Sequence, residues 1–445
     1  MDIIKIKYII CYNYIIIIFS YGHKTQDTRH KTQDTRHKTQ DTRHKTQDTR
    51  HKTQDTRHKT QDTRHKTIKY PKSSIIFKNN KKPENYFYII IRGKTISYNN
   101  FIKDSNFFSK NGDIIGLISS ITNEPYFSSI EAIEDCELLE IKIENIKNIN
   151  NKNIIKRISN YLLFTIEVWL SKYYSILINK KIDLYNKEDT LLMAEIYKNN
   201  GFEDACYKLC ISHINIFKHC ENCDDVIEFL KKLKPADEPI KVDKNIYKFS
   251  KGYCLYTELD IINNIYFIKS GKIGIYNIIN SKQTAGVIYK SNHILNFVNP
   301  KLEYKPLFIT AIVLEESVIE ILTYNDFIKK LYTNIDLRLD YIKMNSIKII
   351  TAILKIKALN KKNIKEKIIV LIYSILKIET LFNDDIKIKL LYSLEDIKNM
   401  LNLQISNDEI YSLLKDINYI EINLFNNIVI TNAKSYFDEY KDYTI

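Results

Sequence analysis

The stretch "FYIIIRGKTISY", Phe87 to Tyr98, decides how this chain is read, because it is written twice. Its second form is "NIYFIKSGKIGIY", Asn264 to Tyr276. In each, a run of aromatic and β-branched residues meets a turn with glycine at its centre, Arg92-Gly93-Lys94 or Ser270-Gly271-Lys272, and a second such run returns. Runs of this kind favour strands, and glycine suits the turn because it takes positive φ without a Cβ penalty. The pattern predicts strands over Tyr86–Ile91 and Thr95–Tyr98, and over Ile265–Lys269 with a return after Lys272.

Further along, "SIEAIEDCELLEI" (Ser129 to Ile141) parallels "ITAIVLEESVIEIL" (Ile309 to Leu322). The first predicts strands over Ile130–Ala132 and Glu137–Ile141. Two separate segments matching in the same order make an internal duplication. Short strands at regular spacing suggest a β-roll or barrel.

Between the two copies, from about Ile146 to Lys234, the apolar period becomes helical, as in "NYLLFTIEVWLSKYYSILI". The following segment reads helix, turn at Gly201, helix, loop, helix. It looks like one tetratricopeptide-type hairpin, with Ala205 at a small-residue contact. Pro235 and Pro239 mark a linker back into β texture.

After the second copy, Ile335, Leu339, Ile342, Ser346, Ile349 and Ile353 alternate spacings of four and three, a coiled-coil seam with one polar break. An amphipathic helix packed on its own domain has the same spacing. The C-terminal segment predicts a short helix after Ser393, a turn over Asn402–Ile405, and a helix capped by Ser406 with Glu409 completing a capping box. A hairpin around Asn426-Asn427 follows. Helix, turn, helix, hairpin is a winged helix-turn-helix plan.

This order of parts, over Tyr70–Ile146 and Tyr247–Asn432, resembles the Crp/Fnr family, the cyclic-AMP receptor proteins and their relatives. The motifs that carry the resemblance are "FYIIIRGKTISY", "GDIIG", "NEPYFSSIEAIEDCELLEI", "FSKGYCLYTE", "NIYFIKSGKIGIY" and "AIVLEESVIEIL". It implies an α+β fold: two cyclic-nucleotide-binding-like β-rolls of jelly-roll type, a helical tetratricopeptide-like insert, a long dimer-type helix and a winged helix-turn-helix. The boundaries read along the chain are an apolar leader or mispredicted start (1–22), a disordered HKTQDTR repeat (23–67), the first roll (68–146), the insert (147–236), the second roll (237–332), the connecting helix (333–359) and the winged domain (360–445).

In that family the roll binds a cyclic nucleotide, the long helix dimerises and the winged domain binds double-stranded DNA. A cyclic nucleotide needs backbone N–H groups and an arginine for its phosphate, and a carboxylate for its ribose hydroxyl. The matching places in this chain are Gly112, Gly116, Leu117, Tyr126, Ser128 and Ser129. Leu117 stands where the family has the ribose glutamate, and Tyr126 where it has the phosphate arginine. Hydroxyls do not replace a guanidinium, since charge-assisted hydrogen bonds are about twice as strong. The second copy has "SNHILNFV" in place of the glycine-bearing loop, and Leu307 after Pro306. Cyclic nucleotide therefore remains a candidate ligand whose charged contacts are missing.

The DNA contacts implied are Lys398, Ser406, Asn407, Tyr411, Ser412 and Lys415. Asn407 and Ser412 fall where the family carries arginines. Asp408, Glu409 and Asp416 share that helix with Lys415 alone opposing them, and an acidic helix is repelled by phosphate.

A separate cluster is "CYKLCISHINIFKHCENC". Cys220 and Cys223 have ligand spacing, and Cys206, Cys210 and His213 share a helical face. Metal is not assigned. Cys206, Cys210, Cys220 and Cys223 are the runner-up set for a metal or redox sensor, against small cysteines packed in a helical hairpin.

The sequence is rich in Ile, Asn, Lys and Tyr, as an AT-rich genome would make it. Of its formal charge of +14, about half lies in the HKTQDTR array, which also holds seven of the ten histidines. The unit has no apolar residue beyond the methyl of Thr, so it predicts disorder. Before it, Lys5 and Lys7 precede an apolar run from Tyr8 to Phe19, short for a membrane span. The main body is read as free of membrane spans and cytoplasmic. Seven cysteines at scattered spacings do not make a disulfide framework. No nucleophile elbow, phosphate loop or dinucleotide fingerprint occurs, so no enzyme is expected. Three function classes stay open: a homodimeric regulator responding to a ligand or to a protein partner on the helical insert, an interaction scaffold that binds no DNA, and a metal or redox sensor.

Overall fold

The structure, a computed structural model, describes residues 66–102, 106–178, 187–216, 223–258, 260, 264–279, 282–295, 309–423 and 427–445. The leader, the repeat up to residue 65, His219, Cys220, Pro306, Leu307 and Asn426 lie outside these residues, as does the side chain of Cys223.

The first set of strands is β1 (Lys66–Tyr70), β2 (Ile75–Phe77), β3 (Tyr86–Arg92), β4 (Thr95–Tyr98), β5 (Phe107–Ser109), β6 (Ile114–Ile115), β7 (Ser129–Ala132) and β8 (Cys136–Lys142), with helix α1 (Leu117–Thr122) between β6 and β7. They form two antiparallel sheets, β1-β8-β3-β6 and β2-β7-β4-β5. One expectation is corrected at the edge. Lys66 and Thr67, assigned to the disordered repeat, pair with Glu140 and Leu139. A backbone ladder asks for no apolar side chain, so the strand extends into repeat sequence.

Four helices follow: α2 (Lys152–Ile178), α3 (Lys187–Asn199), α4 (Glu203–Ile216) and α5 (Cys223–Leu230). Helices α3 and α4 pack as a hairpin around Gly201, whose φ is +81°. Ala205 is fully buried there. Helix α2 packs along a later helix.

The second set is β9 (Ile240–Asp243), β10 (Ile246–Phe249), β11 (Cys254–Tyr256), β12 (Asn264–Ser270), β13 (Ile273–Ile279), β14 (Lys282–Tyr289), β15 (Ile294–Leu295), β16 (Thr310–Val313) and β17 (Ser317–Thr323). Its sheets are β15-β12-β17-β10-β9 and β11-β16-β13-β14. Apart from the added edge strand β9, each pairing repeats one in the first set, with β10 to β17 standing for β1 to β8. Even the irregularity recurs. A bulge between Ile90 and Arg92 faces Leu138 and Glu137, and one between Ile268 and Ser270 faces Ile319 and Val318. The glycine after each bulge is under the same constraint. A Cβ on Gly93 would lie 2.5 Å from the Asp135 carbonyl oxygen, and one on Gly271 would lie 2.0 Å from Ser317 Oγ.

The chain ends with α6 (Tyr324–Thr333), α7 (Ile335–Asn360), α8 (Ile364–Glu379), β18 (Ile388–Lys389), α9 (Leu394–Met400), α10 (Asn407–Lys415), β19 (Ile420–Ile422), β20 (Ile428–Ile430) and α11 (Ala433–Tyr440). The last three strands form a sheet in the order β18-β20-β19. Ser393 and Ser406 each cap a helix through a complete capping box, with Asp396 and Glu409.

Helix α7 is the hub. It packs against α1, α2, α6 and α8 and is buried almost all round. That corrects the reading of its seam. Ile342, Ser346, Ile349 and Ile353 are at most 2% exposed within one chain, while Ile335 at the helix start is 46% exposed. Three-and-four spacing serves helix packing inside a bundle as well as between chains. Here α2 and α8 take the face that a partner copy would have used. No helix of the described residues is long and apolar enough to cross a membrane.

Candidate functional site

The residues proposed for the first roll's pocket do come together, but as packing. Gly112, at φ +90°, donates its N–H to the Ile90 carbonyl at 2.7 Å, and the Asp113 carbonyl accepts from Ile90 N–H at 3.0 Å. The Arg157 guanidinium, from α2, lies where a Gly112 side chain would be. The Asp113 carboxylate accepts from Lys110 N–H at 2.7 Å. Burial raises its pKa, and the Lys110 N–H and Arg157 pull the other way.

Gly116, at φ +84°, starts α1, and a Cβ there would fall 2.6 Å from the Phe77 ring. Leu117 and Ile118 are buried, and α1 packs on α7. Tyr126 is 5% exposed and stacks on Phe77, whose ring in turn stacks on Tyr88. Its hydroxyl accepts from Glu84 N–H at 3.1 Å. These rings, with Ile90, Ile115, Ile130, Ala132, Cys136 and Leu138, make a small core of their own. The serines are engaged as well. Ser97 Oγ donates to Ser128 Oγ at 2.8 Å, and Ser129 Oγ accepts from Asn79 N–H at 3.0 Å. The Gly112 N–H and the hydroxyls of Tyr126, Ser128 and Ser129 are thus engaged within the chain itself.

The second roll repeats the loop geometry without the glycine. Asn292, at φ +68°, donates to Ile268 carbonyl at 2.8 Å, and the His293 carbonyl accepts from Ile268 N–H at 2.9 Å. Ile294 and Leu295 pair with Phe267 and Tyr266 as Ile114 and Ile115 pair with Ile89 and Tyr88.

Next to this roll lies a cavity of about 50 Å³, walled by β13 and β14 on one side and by α2, α7 and α8 on the other. Lys348, Thr351 and Lys355 of α7 line it, with Ser374 of α8 and several tyrosines, among them Tyr174 and Tyr392. Lys348 Nζ donates to the Ile294 carbonyl and lies 4.4 Å from the Tyr289 ring centroid. Lys355 Nζ donates to the Gly286 carbonyl at 2.7 Å. Burial pushes Lys348 down to about 7 and Lys355 down to about 8. Among the described residues that line the cavity none carries a carboxylate. Sequence reading passed over both lysines. The one available signal was charge at Lys348 and Lys355 within the apolar run from Ile347 to Ile356, and Lys is too common in this chain for it to register.

In the C-terminal unit, α10 exposes Asn407, Ser412 and Lys415, and half-buries Tyr411. Ser406 is used as the cap, accepting from Glu409 N–H at 3.1 Å. Lys415 lies 4.4 Å from the Tyr411 ring centroid. Lys398 is turned towards Glu395, 3.7 Å away, and Lys282 of β14 reaches the same carboxylate at 2.6 Å. These cations, Lys282 first, hold Glu395 below the usual carboxylate range, and Asn407 adds a hydrogen bond. Asp396 accepts from Ala285 N–H at 2.8 Å, which fastens α9 to the second roll. Acidic side chains outnumber basic ones from Lys361 to Ile445, so the positive charge of the whole chain is carried elsewhere.

Cys206 and Cys210 are buried one turn apart in α4, with their thiols hydrogen-bonded. That contact and burial push Cys206 up. Among the described residues, no group of three His, Cys, Asp or Glu side chains is placed to hold a metal.

Residues 67–153 match the cyclic nucleotide-binding domain family. No curated protein matches the chain. Similar solved structures include a CooA variant from Carboxydothermus hydrogenoformans, 17% identical, covering 44% of this chain and 87% of that one at a TM-score of 0.34. FixK2 from Bradyrhizobium japonicum is 12% identical, covering 43% of this chain and 95% of its own at a TM-score of 0.33. A cAMP-bound PfPKA-R is 16% identical, covering 64% and 80% at a TM-score of 0.22.

Proposed function

We propose that the chain is a Crp/Fnr-like, ligand-responsive transcription regulator. In this reading the second roll, α7 and the C-terminal unit form the working part, and the first roll is a packed support that has lost its nucleotide. The observation that carries it is the position of α7. This one helix lines the cavity beside the second roll and packs against α8 of the C-terminal unit. A ligand that favours one packing of α7 would shift the balance between arrangements of that unit. The run α8, β18, α9, α10 and the β19–β20 hairpin has the order of a winged helix-turn-helix, with α10 as the helix for the major groove. Asn407 is then the residue for an adenine edge. A homodimer on paired half-sites would need a face other than the buried part of the α7 seam.

The test is retention on duplex DNA as a function of salt. Binding that weakens steeply with salt, and weakens further in Lys415→Ala, supports the reading. No retention at low salt overturns it. A second reading, a protein-contact module that binds no DNA, is favoured by one observation: exposed Asp408, Glu409 and Asp416 outnumber Lys415, the one cation of α10. Absence of DNA binding in that assay would select it.

A further inference from the structure

We infer that Glu395 is an internal competitor for DNA: it engages Lys398 and Asn407, two of the implied DNA contacts, and the second roll keeps it there. The inference rests on the regulator reading and names how its DNA face is restrained. Three observations lead to it.

The first is convergence. Glu395, in the first turn of α9, meets partners from three elements. Lys282 of β14 reaches its carboxylate at 2.6 Å, Lys398 of α9 lies 3.7 Å away, and Asn407 at the start of α10 adds a hydrogen bond. A simple helix-surface pair would join Glu395 to Lys398 alone, three residues on.

The second is chemistry. Duplex DNA is held by ammonium groups on its phosphates and read by amides on its base edges. Those are the groups that Glu395 occupies, and a carboxylate gives them a charged acceptor as a phosphate would. DNA has to displace Glu395 before it can use Lys398 or Asn407.

The third is the platform. The start of α9 is fastened along β14. Ala285 N–H donates to Asp396 at 2.8 Å, and Ile288 N–H donates to the Tyr392 hydroxyl at 3.0 Å. With Lys282 these make one row along the edge strand of its sheet. The first roll has no such platform among the described residues. Ser109, Phe108 and Phe107 of β5 pair with β4 as Tyr289, Ile288 and Val287 of β14 pair with β13. There β5 stops, at three residues, while β14 runs on through Ala285 to Lys282. The added length is the part that carries Lys282 to Glu395.

The test measures retention of the full-length protein on duplex DNA against salt, for the wild type, Glu395→Gln and Asp408→Asn. Asp408 is the second residue of α10 as Glu395 is of α9, and it is exposed, so it controls for the loss of one negative charge. A thermal melt shows that each variant is folded. The expected result is a gain in affinity of about tenfold or more in Glu395→Gln, against about threefold or less in Asp408→Asn, at matched salt. The log–log salt slope should steepen by about 0.9 in Glu395→Gln alone, the increment for one further phosphate contact. Equal gains in the two folded variants, or no gain in Glu395→Gln, overturn the inference and leave the regulator reading standing on wild-type retention. No retention of wild type or variant at low salt overturns both.

Discussion

The Tyr126 ring stacks on Phe77 with centroids 4.4 Å apart and planes 26° apart. The ring belongs to the roll's own small aromatic core. Cyclic AMP and cyclic GMP are expected to leave the Tm of the protein unchanged at millimolar concentration, since a ligand raises Tm only by binding the folded state. Tyr126→Ala should cost about 3–5 kcal/mol in a urea melt, as truncation of a packed aromatic does. A Tm rise with either nucleotide would reopen the first roll as a ligand site.

The three turn glycines separate space from backbone angle. Gly93, Gly201 and Gly271 all have positive φ, but a Cβ on Gly201 meets nothing within 4 Å. Gly201→Ala should cost about 1–2 kcal/mol, the left-handed penalty alone. Gly93→Ala and Gly271→Ala should cost more, because a backbone carbonyl and the Ser317 side chain would have to move. Urea denaturation of the three variants checks the order.

Helix α7 gives a contrast between two isoleucines of one apparent seam. Ile349 is fully buried and Ile335 is 46% exposed. Ile349→Ala should destabilise the chain by about 2–5 kcal/mol, and Ile335→Ala by less than about 0.5 kcal/mol. Neither should change the mass measured by light scattering. A seam between copies would instead show Ile349→Ala dissociating an oligomer.

The buried lysines set a pH dependence of definite sign. Burial holds Lys348 at about 7 in the fold, against its ordinary value of 10.5. Below pH 7 it is protonated in both states, and its penalty on the fold is complete. As pH rises from 7 towards 10.5, the unfolded chain binds the extra proton and stability increases, by up to about 1.4 kcal/mol per pH unit. Lys355, at about 8, adds to this from pH 8 upward. Urea melts between pH 7 and 9 should show the rise, and Lys348→Met should make it shallower, most clearly between pH 7 and 8 where Lys355 contributes least. The range stops there because buried tyrosines such as Tyr289 keep their protons in the fold and reverse the trend above pH 10.

Much of the strand plan was legible because local chemistry decides it. Gly93 and Gly271 mark the same turn, and the runs on either side become β3–β4 and β12–β13. The Ser406 and Glu409 capping box was equally local and equally readable. The seam was not, because Ile342, Ile349 and Ile353 carry the same spacing whether their partner is α2, α8 or a second chain. Strand β9 alternates as Ile240-Lys241-Val242-Asp243, but over only four residues beside Pro239 and with every one of them exposed, so it buries no face. The cavity was invisible for another reason. Its walls come from segments between Leu170 and Tyr392 that only the fold brings together. Tyr126 falls between these cases. The resemblance implies an arginine's place taken by an aromatic, and the structure shows the ring turned inward on Phe77.

The regulator reading meets its most direct test in selection of binding sites from a pool of random duplex DNA by the full-length protein at low salt. Convergence on one sequence motif, lost or altered in Asn407→Ala while the variant keeps its Tm, is the expected result. A pool that stays unselected at the lowest salt, with wild-type protein shown to be folded, contradicts it.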